Sequence, residues 1–137
     1  MFFKKDSTET EKGFLVKTCA LLIYAAKIDE KYTEKEKEII EKTLLELGAK
    51  KEIITQIIID AESIEENSNQ ILDFTKEVKN LPETDKIKII ESLWSIIYSN
   101  NEADIYETNL MRRLAGLLYI DSLTMGAIKD KIKEKKL

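Results

Sequence analysis

Apolar residues recur with helical spacing along almost the whole chain, and no other feature restricts the fold as strongly. The first stripe consists of Leu15, Cys19, Leu22 and Ala26. Their spacing of three or four residues places them on one face of a helix. Six later segments are also predicted to be helical, and one proline and four glycines leave little material for the turns of an all-β fold. The sequence therefore predicts an all-α, compact bundle of about seven helices with short links.

Local signals predict where several of these helices begin and end. Thr33 and Glu36 form the Thr-x-x-Glu signature of a capped helix start, in which each side chain bonds the backbone of the other residue. Gly48 stands where a residue in the left-handed conformation would end the same helix. Either Asp121 or Ser122 is predicted to cap the last helix.

Two parts of the chain have the same layout, which predicts a duplicated helix-loop-helix unit. When Glu36 is placed on Glu107, an offset of 71 residues, the apolar, link and capping positions stay in phase across two helices and their link. The predicted repeats cover about residues 17–63 and 88–134. The alternative is a chance alignment, because any two amphipathic helices align passably at some offset.

Length and composition favour one domain and exclude several kinds of catalytic site. A chain of 137 residues predicts a single domain, here residues 10–137, preceded by a flexible N-terminus of residues 1–9. The sequence contains no histidine and one cysteine, which excludes Ser-His-Asp and Cys-His arrangements and zinc sites of the Cys/His type. Cys19 lies in an apolar run, so we interpret it as a small buried side chain.

The charge pattern argues against nucleic acid as a ligand. Twenty-two basic and 26 acidic residues give a net charge of −4, and the lysines are mostly interleaved with glutamates rather than gathered on a basic face. No run approaches the roughly 20 apolar residues of a membrane span. Any membrane contact would be peripheral, through the lysine-rich C-terminal tail or Phe2 and Phe3, and we expect a cytoplasmic protein.

Carboxylates collect in and beside the two links that join the helices of each repeat. These residues are Asp29, Glu30, Glu34, Glu36, Glu102, Asp104 and Glu107. One interpretation is purely structural, because Thr33-x-x-Glu36 and Asp104-x-x-Glu107 both match the capping signature. The alternative is a divalent-cation site, since Ca²⁺ and Mg²⁺ bind clusters of oxygen ligands. Neither link has the ligand spacing of an EF-hand.

The second link and the helix after it contain a distinctive run of residues. The run is Tyr98-Ser99-Asn100-Asn101-Glu102-Ala103-Asp104-Ile105-Tyr106-Glu107 and then Leu110-Met111-Arg112-Arg113-Leu114-Ala115. It resembles a known family, the TerB-like tellurite-resistance domain. The family typically has Ala-Asp-Gly-x-hydrophobic-Asp-x-x-Glu, followed by Leu-hydrophobic-Arg-Arg-hydrophobic-Ala. The resemblance extends over roughly residues 17–133, with a more diverged first copy at 22–36.

Departures from the family pattern affect the predicted metal site. Asn100 stands where the family usually has Asp, and Asn101 stands where it has Gly. The change to Asn removes a negative charge, which weakens a metal site, but the amide still offers a carbonyl oxygen. The candidate metal ligands are Asp29, Glu36, Asn100, Glu102, Asp104 and Glu107.

The resemblance implies an all-helical domain of bacterial chemical-stress systems that acts through interactions, with no established catalysis. We therefore expect a non-enzymatic interaction module with protein partners, and a divalent cation of the Ca²⁺ or Mg²⁺ type as a further ligand. The alternatives are a dedicated divalent-metal-binding protein and a carboxylate- and metal-dependent hydrolase. The resemblance alone does not assign a role in tellurite resistance to this chain.

Overall fold

Seven α-helices and no strand make up the part of the chain that the structure, a computed structural model, describes. It describes residues 2–28, 32–68, 71–100 and 105–136, and side chains within 13–28, 32–68, 71–99 and 105–135. The helices are α1 (Phe2–Ala26), α2 (Glu34–Glu46), α3 (Ile54–Asn67), α4 (Leu72–Val78), α5 (Glu83–Ile97), α6 (Ile105–Leu117) and α7 (Ser122–Lys136). Short 3₁₀ turns cover Lys51–Ile53 and Tyr98–Asn100. The predicted all-α bundle is confirmed.

No helix in the described ranges is long and apolar enough to cross a membrane.

Two helices, α1 and α5, lie at the centre of the bundle. In α1 the five consecutive residues from Cys19 to Ile23 are all fully buried, so this part of the helix is covered on every side. It packs against α2, α3, α4 and α5, while α5 also packs against α2 and α7. Cys19 is buried, as the sequence predicts. Helix α1 begins at Phe2, and the flexibility expected for residues 1–9 stays a prediction.

The helix boundaries repeat at the offset of 71 residues. Helices α2 and α6 each contain 13 residues and begin 71 positions apart, at Glu34 and Ile105. The helices before them end at Ala26 and Ile97, which are also 71 positions apart. These bounds agree with the predicted duplication, which stays a prediction; we call the predicted segments 17–63 and 88–134 the first and second repeat.

The two repeats also end their second helix with the same hydrogen bonds. A left-handed residue follows each helix, Gly48 with φ 102° and Tyr119 with φ 59°. The next residue then bonds back across the turn, and the two bonds are Ala49 N to Leu44 O and Ile120 N to Ala115 O, each 2.9 Å long. This is the Schellman arrangement. The prediction for Gly48 is confirmed, and Tyr119 occupies the equivalent position without the freedom of glycine.

Two glycine-to-alanine substitutions should change stability in opposite directions. Gly48→Ala forces a Cβ into the left-handed region and should lower the free energy of unfolding by about 1 kcal/mol or more. Gly126→Ala lies inside α7, where an added Cβ meets no atom within 4 Å, and should raise it by about 0.5–1 kcal/mol. Urea denaturation of both variants measures the difference. Equal effects of the same sign would contradict this account of the turn.

Candidate functional site

A hydrogen bond joins the start of α2 to the beginning of the second link. The first link (residues 27–33) follows α1, and the second link (residues 98–104) follows α5. Lys35, in the first turn of α2, donates from Nζ to the carbonyl oxygen of Ser99 at 3.4 Å. The start of α2 therefore lies next to Ser99, near the point where α5 ends.

Glu36 forms a capping box with Thr33. Its side chain is only 1% exposed, and its Oε1 accepts hydrogen bonds from Thr33 N at 2.8 Å and Thr33 Oγ1 at 3.2 Å. In return, Thr33 Oγ1 accepts a bond from Glu36 N at 3.2 Å. The capping interpretation is thus confirmed for the first repeat, and it explains why a carboxylate is buried at this position.

Glu107 occupies the equivalent position in the first turn of α6 and is 4% exposed. Its charge acts on Tyr98, the first residue of the second link. Burial raises the pKa of the Tyr98 phenol, and the negative charges of Asp130 and Glu107 raise it further. The two repeats therefore each bury one glutamate beside a link. The capping partner predicted for Glu107, Asp104, lies outside the described residues.

Most of the predicted metal ligands lie outside the part of the chain that the structure describes. These are Asp29, Glu102, Asp104 and the side chain of Asn100. Of the six candidates, Glu36 and Glu107 have described side chains. Within the described residues, no group of three or more carboxylate or thiol side chains is placed to hold a metal ion. The metal set therefore stays a prediction.

The single thiol is kept protonated by its surroundings. Burial raises the pKa of Cys19 to about 12, and the negative charge of Glu62 adds to the shift. Tyr32 lies in the same region, and its pKa is also raised, first by burial and then by Glu62. A thiol with this pKa is almost entirely protonated at neutral pH and is a poor nucleophile. The structure supports a packing role for Cys19.

A comparison with family models finds a match to the family described as Tellurite resistance protein TerB, over residues 15–130. The chain belongs to the TerB family. The match spans both links and most of the bundle, so the resemblance carried by residues 98–115 is confirmed. It supports a TerB-like stress-response module. No curated protein and no solved structure matched the chain in the other two comparisons.

The outer faces of α2 and α6 differ sharply in this TerB domain. Six equivalent positions are exposed on each helix. On α2 they carry Glu34, Lys35, Glu38, Glu41, Lys42 and Leu45, and on α6 they carry Ile105, Tyr106, Asn109, Arg112, Arg113 and Gly116. The α2 face has the mixed charges of an ordinary solvated helix. The α6 face has two arginines, no carboxylate and two large apolar residues.

Exposed apolar side chains mark both ends of the α6 face. Ile105 and Tyr106 are 69% and 71% exposed at its start, and Tyr119 and Leu123 are 70% and 86% exposed after its end. The sequence analysis did not predict this surface, because the spacing of apolar residues indicates only which face of a helix is buried. A comparison of the outer positions of the two repeats would have found it.

A groove of about 210 Å³ lies between α6 and α7, with α5 beneath it. We call it the α6–α7 groove. Its lining residues are Trp94, Thr108, Met111, Arg112, Ala115, Ser122, Met125, Gly126 and Lys129. Trp94 is buried and stacks on Tyr98 with ring centroids 5.9 Å apart, while Lys129 Nζ lies 5.4 Å from the Trp94 ring centroid. The groove thus has an apolar floor, two cationic side chains and no carboxylate among the lining residues that the structure describes.

Proposed function

We propose that this TerB domain is a non-catalytic module that binds a protein partner as part of a stress response. The observation that carries the proposal is the α6 face, where Ile105, Tyr106, Arg112 and Arg113 replace the charged residues of α2. Large apolar residues and arginine are enriched in the centres of protein interfaces, whereas Glu and Lys are depleted there. Such residues cost solubility unless a partner covers them.

Two further observations support a non-catalytic role. The chain has no histidine to act as a base near neutral pH. Its only thiol is buried, with a pKa raised to about 12, so it is not available as a nucleophile. Binding through the α6 face requires neither group.

The proposal is tested by affinity capture from cells of the source, with and without chemical stress, followed by quantitative mass spectrometry. We expect a protein that the wild type enriches and that a Tyr106→Asp, Leu123→Asp double variant loses. Both residues are exposed, so the variant should fold. The matched control is Leu45→Asp, which places the same change at an exposed position on α2. Failure to enrich any protein, or equal loss in the control, would overturn the proposal.

A divalent cation between the links is the second candidate function. Lys35, at the start of α2, bonds Ser99 of the second link, and each repeat buries a glutamate in the first turn of its second helix. Carboxylate oxygens are the donors that Ca²⁺ and Mg²⁺ prefer, so Glu36 and Glu107 fit such an ion in donor type. The ammonium of Lys35 lies in the same region and is a competing positive charge. The test must therefore separate a cation site from a pair of helix caps.

Asp104→Ala should abolish stabilisation by divalent cations if the links form a metal site. The EDTA-treated protein is melted with Ca²⁺, Mg²⁺ and Mn²⁺, and a saturable rise in Tm is expected for the wild type and not for the variant. Asp121→Ala is the matched control, because Asp121 caps α7, with its Oδ1 accepting a bond from Thr124 N at 2.7 Å. The control should lower stability and keep the cation response. Absence of any cation response in the wild type would leave the link carboxylates as caps.

A further inference from the structure

We infer that the α6–α7 groove binds a large apolar side chain from an acidic segment of the protein partner. The inference rests on the proposed function and specifies the chemistry of its partner. It follows from the shape of the groove, from the charge at its sides and from the comparison between the two repeats.

Small residues line the groove at two positions that carry larger residues in the first repeat. Ala115 and Gly126 line it, and the equivalent residues, 71 positions earlier, are Leu44 and Thr55. An added Cβ at Gly126 would meet no atom within 4 Å, so space is open above this residue. With a volume of about 210 Å³, the groove has room for a large side chain. An aliphatic or aromatic residue of a partner would cover the apolar floor.

Charge selects an acidic segment as the occupant. Arg112 and Lys129 both line the groove, and Arg113 is the next residue on α6. Neither arginine forms an ion pair or a hydrogen bond with another residue that the structure describes. The chain as a whole is acidic, with a net charge of −4. Carboxylates of a partner would meet these guanidinium groups here, and arginine binds carboxylates in a bidentate geometry.

Other occupants fit these features less well. Nucleic acid binding needs a more extended basic surface than two arginines and one lysine on an acidic protein. A membrane surface would contact the exposed Tyr119 and Leu123 but would not fill a recess whose floor is Trp94. A protein segment can make both contacts, because one apolar side chain can fill the groove while neighbouring acidic residues meet the cationic groups at its sides.

Selection from a random peptide display library on the folded domain tests the inference. The enriched peptides should combine Asp or Glu with Leu, Ile, Phe or Trp, and synthetic copies should bind the wild type in a fluorescence anisotropy titration. Ala115→Leu and Gly126→Thr introduce the first-repeat residues, and each should weaken binding at least about tenfold. An Arg112→Glu, Lys129→Glu double variant should do the same. Lys42→Glu, on the exposed face of α2, is the matched control and should leave the affinity unchanged.

Three results would overturn the inference. The first is a selection that enriches no peptide, and the second is enrichment of peptides without acidic residues. The third is peptide binding that Gly126→Thr does not weaken. This variant should fold, because no atom lies within 4 Å of a Cβ added at Gly126. Binding to vesicles of equal parts phosphatidylcholine and phosphatidylglycerol, lost in the double variant while no peptide is enriched, would assign the surface to a membrane. If Ala115→Leu and Gly126→Thr still capture the cellular partner, the proposed interaction module is supported and the inference about the groove is wrong. If the wild type captures no protein, both proposals are wrong.

Discussion

Leu93→Ala should lower the free energy of unfolding by about 2–5 kcal/mol. Leu93 lies in the middle of α5 and is fully buried. Because α5 packs against α1, α2 and α7, little of the cavity left by the missing methyl groups can be filled by movement of one neighbour. Urea denaturation monitored by circular dichroism at 222 nm measures the loss, since the described structure is helical throughout.

Leu22→Ala, the equivalent change in α1, should have an effect of similar size. Leu22 lies 71 positions before Leu93 and is also fully buried. Leu123→Ala is the control, because this side chain is 86% exposed and its truncation should change stability by no more than about 0.5 kcal/mol. A large effect at one buried leucine and a negligible effect at the other would contradict the equivalence of the two central helices.

Lys86→Glu should destabilise the domain by about 3 kcal/mol or more. Lys86 is only 7% exposed, and its Nζ donates to the carbonyl oxygen of Leu118 at 3.0 Å and lies 5.7 Å from the centroid of the Tyr119 ring. The lysine therefore provides a hydrogen bond to a carbonyl oxygen at the end of α6, where a positive charge complements the helix dipole. A glutamate would bury a negative charge against a carbonyl oxygen at the same helix end.

Lys86→Leu is the control that separates charge from packing. The equivalent residue in the first repeat is Leu15, which is buried, so the site can accept a leucine side chain. This variant should lose only the hydrogen bond to Leu118 and should be clearly more stable than Lys86→Glu in the same denaturation experiment. Equal losses for the two variants would show that the stem of Lys86, and not its charge, supports the end of α6.

The fold could be predicted from sequence where the causes are local. The buried stripe around Cys19, the capping box of Thr33 and Glu36, and the left-handed turn at Gly48 each depend on neighbouring residues, and the structure confirms all three. The left-handed conformation of Tyr119 could not be predicted in this way, because no glycine marks it. It follows from the same turn geometry at the end of α6.

Tertiary packing decided the features that the sequence pattern did not predict. In the helical pattern Lys86 has the character of a residue exposed to solvent. Its burial depends on the end of α6, where Leu118, 32 positions away, accepts its hydrogen bond. The α6–α7 groove likewise depends on two small residues, Ala115 and Gly126, that lie on different helices. Of the two interpretations of the link carboxylates, the structure confirms the cap for Thr33 and Glu36, and the cation site stays a prediction. The predicted metal ligands Asp29, Glu102 and Asp104 lie outside the described residues.

The two predicted repeats agree in the bounds of α2 and α6 and in the turns that follow these helices, and they differ in what α2 and α6 present to solvent. Site-specific photocrosslinking in cells tests this difference most directly, with benzoylphenylalanine placed at position 112 or at its equivalent, position 41. Both positions are exposed, and they carry Arg112 and Glu41. The account predicts a discrete crosslinked protein from position 112 and none from position 41. Equal crosslinking from both positions, or crosslinking from position 41 alone, would contradict it.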